Sequence, residues 1–112
     1  MDVLEKYNSE LDRLKAEQRE LALQALERGE EREYSVHLMQ ASMMGDMLKV
    51  LGKVQHEGSR PQYIPNMLAA LEREEQAQKE AGDYDLADRA CVKARTIRQA
   101  MAILERLEKE DA

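Results

Sequence analysis

Tryptophan and phenylalanine are absent, and the 4 % aromatic content of this 112-residue chain is tyrosine alone. Any core must therefore be assembled from Leu, Ile, Val, Met and Ala, a palette that suits helices. Strands draw instead on aromatic and β-branched side chains for cross-strand contact. Cys91 is the single cysteine, which excludes an internal disulfide and a cysteine-rich zinc site and fits a reducing compartment. No window approaches the ~20 continuous apolar residues needed to span a membrane. The opening MDVLEKYNSE carries acids where an export signal needs basic residues and then an apolar run. A cytoplasmic protein with no membrane partner is expected.

Charged residues are abundant, at 36 % of the chain, with 17 basic against 23 acidic side chains and a formal net charge of −6. The length suits one small domain over residues 1–112, with a modest core. In the first segment Leu4, Tyr7, Leu11, Leu14, Gln18, Leu21 and Ala25 recur at alternating steps of three and four. This is a heptad seam interrupted by Gln18, and it predicts a helix over about 2–28 with coiled-coil character. Leu23 and Leu26 widen the stripe, as for a helix entering a globular core. A seam of this length can close on the rest of the chain or on a second copy. Gln18 is a position that a counterpart across a two-fold axis would satisfy, so a homodimer joined through Leu11, Leu14, Gln18 and Leu21 is expected.

Gly29 interrupts the pattern. Either the helix breaks there or one long helix bends through it, since EEREYS offers no good N-cap. The second helix, about 32–57, is apolar on two faces, with Tyr34, Leu38, Ala41, Gly45 and Leu48 on one and Val36, Met39, Met43, Met47, Val50 and Val54 on the other. It should be the central helix, and Ala41 and Gly45 should allow a close neighbour. Gly58, Pro61 and Pro65 in HEGSRPQYIPN predict a loop, followed by a third helix over 65–81. In EAGDYDLADRA, Gly82 can turn, Asp83 can cap a fourth helix over 84–109, and Tyr84 can cover the corner. The expected fold is all-α, a small bundle of three to four helices ending in an antiparallel hairpin. The corner resembles the UVR motif, the short helical hairpin of excision-repair proteins, in its aromatic–acid pair ahead of small residues. It departs from that motif where Cys91-Val92 replaces an Arg-Asp pair, and no family is assigned on it.

Catalytic patterns are missing. His37 and His56 lie in neither HExxH nor Glu-x-x-His, so no metal or other cofactor is expected. GDMLKVLGK has six residues between its glycines and Val54 after the lysine, whereas a phosphate loop needs four and then a hydroxyl. Cys91 sits between Ala90 and Val92 with no base beside it, and reads as a small apolar group. With no convergent acid, base or nucleophile, the protein is not expected to be an enzyme.

Two clusters remain. Met39, Met43 and Met47 lie one turn apart, and either fill a core that lacks Phe and Trp or form a surface that accepts a partner helix. Arg89, Lys93, Arg95 and Arg98 form a basic stretch that either contacts an anion or nucleic acid or pairs with acids of the third helix. The expected function is a non-enzymatic protein–protein interaction module of the adaptor, chaperone or inhibitor type, acting through apolar helix faces and self-associating. The alternative is a regulator of nucleic-acid transactions that uses the last helix.

Overall fold

A computed structural model describes residues 3–57 and 60–111, with side-chain environments over 3–49 and 65–110. These residues form four helices and no strand: α1 (Val3–Glu27), α2 (Glu31–Glu57), α3 (Arg60–Glu80) and α4 (Tyr84–Asp111). The all-α reading stands, with four helices and not three. α1 and α2 make one antiparallel hairpin, and α3 and α4 make another. Arg32, at the start of α2, pairs with Asp88, at the start of α4, at 2.8 Å. The two inner helices therefore run parallel and both corners lie at one end of the bundle. α4 meets all three other helices, whereas α1 and α3 do not meet among the described residues. The molecule measures 43 × 34 × 21 Å, and the shortest extent is about two helix diameters, two layers of helices.

Gly29 ends α1 with φ of +73° and Gly82 ends α3 with φ of +80°, a region that glycine enters without the clash a Cβ would cause. The chain breaks at Gly29, and the single bent helix is ruled out. Gly29 N–H donates to Leu26 O at 3.1 Å and Glu30 N–H to Ala25 O at 2.9 Å. Gly82 N–H donates to Lys79 O at 3.1 Å and Asp83 N–H to Gln78 O at 2.8 Å. Both corners are thus Schellman closures of the same form. The register shift that carries Gly29 onto Gly82 also carries the buried Ala41, Met44 and Met47 onto the buried Ala94, Ile97 and Ala100. In their corners and in the buried register of α2 and α4 the two hairpins follow one pattern, an internal repeat at this shift.

The corners differ in their caps. Asp83 Oδ1 accepts the N–H of Leu86 at 3.1 Å, which satisfies one of the orphan donors of α4. Glu30, in the matching place, turns its carboxylate to Arg28 Nε at 2.7 Å instead. Tyr84 does not cover its corner, for it is 71 % exposed.

The third helix starts earlier than its prolines suggest, at Arg60 and not at residue 65. Pro61 occupies the first turn, where its missing N–H removes no helical bond. Pro65 comes one turn later and removes a single bond, to the carbonyl of residue 61. Gly58, the expected stop, lies outside the described residues.

The core joins Tyr7 and Leu11 of α1, Met43 and Met47 of α2, and Ile97, Ala100, Leu104 and Leu107 of α4. Met67, Leu68 and Leu71 of α3 pack against it. Thr96 is buried, and its hydroxyl donates to Val92 O at 2.9 Å. Gly45 faces α1: a Cβ there would lie 3.1 Å from Lys15 Nζ. The close approach expected at Ala41 and Gly45 is that of α1.

Candidate functional site

The α1 seam is consumed by the fold. Leu11 is fully buried and Leu14 packs against the same core. Gln18 is half-buried, and its Oε1 lies 2.6 Å from His37 Nδ1 on α2. In the tautomer with Nδ1 protonated, His37 donates to that oxygen. The seam residue offered for pairing across a two-fold axis is thus satisfied within the chain, and a dimer joined along Leu11, Leu14 and Gln18 loses its basis. Leu21 falls to the edge of the stripe, because a straight helix of 3.6 residues per turn drifts off a 3.5 repeat. The buried positions there are Ala22 and Ala25.

The methionines divide similarly. Met43 and Met47 are buried, as is Met44, and they supply core volume where aromatic side chains are missing. Met39 is half-buried and lines a cleft of about 400 Å³ between the starts of α2 and α4. Val36 and Val92 line that cleft as well, beneath a rim that carries Glu31, Asp85, Asp88, Arg32 and Arg89. Carboxylates and guanidinium groups alternate along the rim, so it presents no single sign of charge to a ligand.

The basic stretch does not converge. At about 100° per residue, Arg89 and Lys93 fall on one flank of α4 and Arg95 and Arg98 on the other. Lys93 is half-buried, and Arg98 is held by Glu72 of α3 at 2.5 Å. The pairing with an acid of the third helix is observed for Arg98, through Glu72. Cys91 is half-buried beside Glu75, Lys79 and Tyr84. Among the described residues no group of three or more His, Cys, Asp or Glu side chains is placed to hold a metal ion, and no helix is long and apolar enough to cross a membrane.

The surface feature that stands out was read from the sequence as core. Leu23 is 55 % exposed, Leu26 51 % and Leu38 39 %. Lys15 reaches α2 at Gly45 and Glu10 reaches α4 through Arg106, which fixes the two inner flanks of α1. Advancing by about 100° per residue puts Leu23 and Leu26 beyond the α2 flank, on the outside of the hairpin. On α2, Gly45 faces α1, while Val36 and Met39 face α4 across the cleft. Leu38 therefore falls on the same outer side, next to α1. Near the corner α1 has only α2 to pack against, so a narrow stripe of alanines suffices and the leucines are left in solvent.

The repeat supplies an internal reference for this face. The shift from Gly29 to Gly82 places Gln76 at the position of Leu23, Lys79 at that of Leu26 and Cys91 at that of Leu38. One geometry thus carries two surfaces, with Gln76 and Lys79 on α3 where α1 has Leu23 and Leu26. Aligning the two Gly-acid corners would have exposed this contrast in the sequence. Comparison of the chain with protein-family models, with curated proteins and with solved structures finds no match.

Proposed function

We propose that the chain is a non-enzymatic helical interaction module that engages a protein partner through the outer face of the α1–α2 hairpin, made by Leu23, Leu26 and Leu38. One observation carries this reading. The fold tolerates polar side chains at these places, as Gln76 and Lys79 show, so the leucines serve no requirement of the hairpin itself. Apolar side chains grouped on an exposed face and rimmed by charge mark interaction surfaces, because covering them removes apolar area from water.

The test places a photoreactive benzoylphenylalanine at Leu23, in the cell that produces the protein, with the same probe at Gln76 as reference. Adducts are expected from position 23 and not from position 76. Equal labelling at both positions, or none at 23, refutes the reading.

A further inference from the structure

The leucine face carries a charge pattern that selects an occupant. Arg19, Leu23 and Glu27 stand one turn apart each on α1 and form a line along its outer side. Arg19 and Glu27 are both exposed, and neither has an ion pair among the described residues. Opposite charges spaced symmetrically about an apolar residue are self-complementary when two such helices pack antiparallel. Each Arg19 then meets the Glu27 of the other helix, and the two leucines meet each other.

We propose that the outer face of the α1–α2 hairpin docks on the same face of a second copy of this chain. The two-fold axis lies in the interface, across the helices at the level of Leu23. This rests on the reading that the leucine face is an interaction surface, and it names the partner. The other axis available to a hairpin face runs along the helices and stacks α1 of one copy over α2 of the next. That arrangement sets Arg19 and Glu27 of each copy over α2 of the other and not over each other, and it forfeits both charge pairs. The crosswise axis instead forms two Arg19–Glu27 pairs. It lays Leu26 and Leu38 along the groove between helices, where the second copy covers them. Such an interface is isologous and closes at two copies.

Three half-exposed leucines are a small apolar patch beside the ~800 Å² per partner of a standard interface. The dimer is therefore expected to be weak, with a Kd in the range of tens to hundreds of micromolar, on the order of values for small transient interfaces. Sedimentation equilibrium of the purified full chain up to ~0.5 mM reads it directly. Arg19→Glu and Glu27→Arg should each weaken association by roughly tenfold, since each turns two attractions into two repulsions. The double reversal, Arg19→Glu with Glu27→Arg, should restore it to within about threefold of the wild type. These side chains are exposed, so circular dichroism should show all three variants folded.

A wild type that stays monomeric across the range overturns the second copy as occupant. If the Leu23 probe still forms adducts in the cell, the interaction reading survives and the partner is another protein; if it forms none, both readings fall. A dimer that the double reversal fails to restore overturns the crosswise axis.

Discussion

Gly29, Gly45 and Gly82 occupy two backbone states, left-handed at Gly29 and Gly82 and helical at Gly45, and replacing each with alanine tests the fold. Gly45 lies inside α2 with an ordinary helical backbone. Its added Cβ would meet Lys15 Nζ at 3.1 Å and Cε at 3.5 Å, the far end of a flexible side chain that can swing aside. Alanine is better than glycine in a helix interior by about 0.8–1 kcal/mol. Rerouting Lys15 takes back part of that, and Gly45→Ala should stabilise by about 0.5 kcal/mol. At Gly29 and Gly82 a Cβ would meet nothing within 4 Å, so sterics with neighbours play no part. The cost is the left-handed backbone alone, ~1–2 kcal/mol for an L-residue, partly offset by about 0.4–1 kcal/mol from a less free unfolded chain. Each of these two substitutions should destabilise by roughly 1 kcal/mol, or about 4 °C in Tm at this size. Thermal and urea unfolding followed by circular dichroism measures all three. The reasoning fails if Gly29→Ala or Gly82→Ala leaves stability unchanged, or if Gly45→Ala lowers it as they do.

Four further expectations follow from the geometry. Glu30→Asp should give α2 the cap that Asp83 gives α4 and raise stability by about 0.5–1 kcal/mol, while Asp83→Ala should lower it by ~0.5–2 kcal/mol; a Tm that falls in the first case would show that the two corners are not equivalent. Ile97→Ala empties a fully buried site and should cost ~2–5 kcal/mol in urea unfolding, against ~0.5 kcal/mol or less for Leu23→Ala. The hydrogen bond from Arg28 holds the Glu30 carboxyl below its ordinary value, so its small contribution to stability is present at neutral pH and fades as pH falls through that lowered value; an NMR titration should find Glu30 back at the usual value in Arg28→Ala. Gln18→Leu should cost about 1 kcal/mol by leaving His37 half-buried without its partner, and adding His37→Ala should recover most of it. A Gln18→Leu variant more stable than the wild type would refute the assignment.

Periodicity made the helices legible, because apolar spacing and the two Gly-acid corners carry most of that information. Gly29 left a break and a bend both open until its positive φ decided for the break, whereas the break at Gly82 and the capping role of Asp83 could be read directly. The start of α3 could not, since prolines in a first or second turn look the same as prolines in a loop. The surface was legible only in part. A stripe of leucines states that a helix has an apolar side, not which neighbour covers it, and α1 carries more leucine near its end than α2 alone can bury. The methionines had two readings because flexible side chains serve cores and interfaces alike; the packing of α2 against α1 and α4 makes Met43 and Met47 core. The basic residues of α4 looked like a cluster because they are close in sequence, yet the two-residue step from Lys93 to Arg95 sends the second pair to the opposite flank.

The repeat shows why the first hairpin carries a polar pair inside. Gln18 and His37 correspond, by the shift that relates the corners, to Leu71 and Ala90 of the second hairpin, where the same geometry is filled with apolar side chains. The fold itself therefore does not demand the hydrogen bond between α1 and α2. What distinguishes the first hairpin is that α1 bears two apolar stripes, the one in the core and the one with Leu23 and Leu26. Burial energy by itself favours rolling the helix so that the larger leucines turn inward in place of Ala22 and Ala25. A half-buried glutamine hydrogen-bonded to His37 opposes that rotation, because rolling α1 would break the pair. Here the pair has the role best attested for buried polar contacts, fixing a register at some cost in stability. In the double variant Gln18→Leu with His37→Ala that restraint is gone, and the photoreactive probe at Leu23 should lose its adducts even where stability has recovered. If labelling persists unchanged, packing alone sets the rotation of α1, and the polar pair is incidental to the exposure of its leucine face.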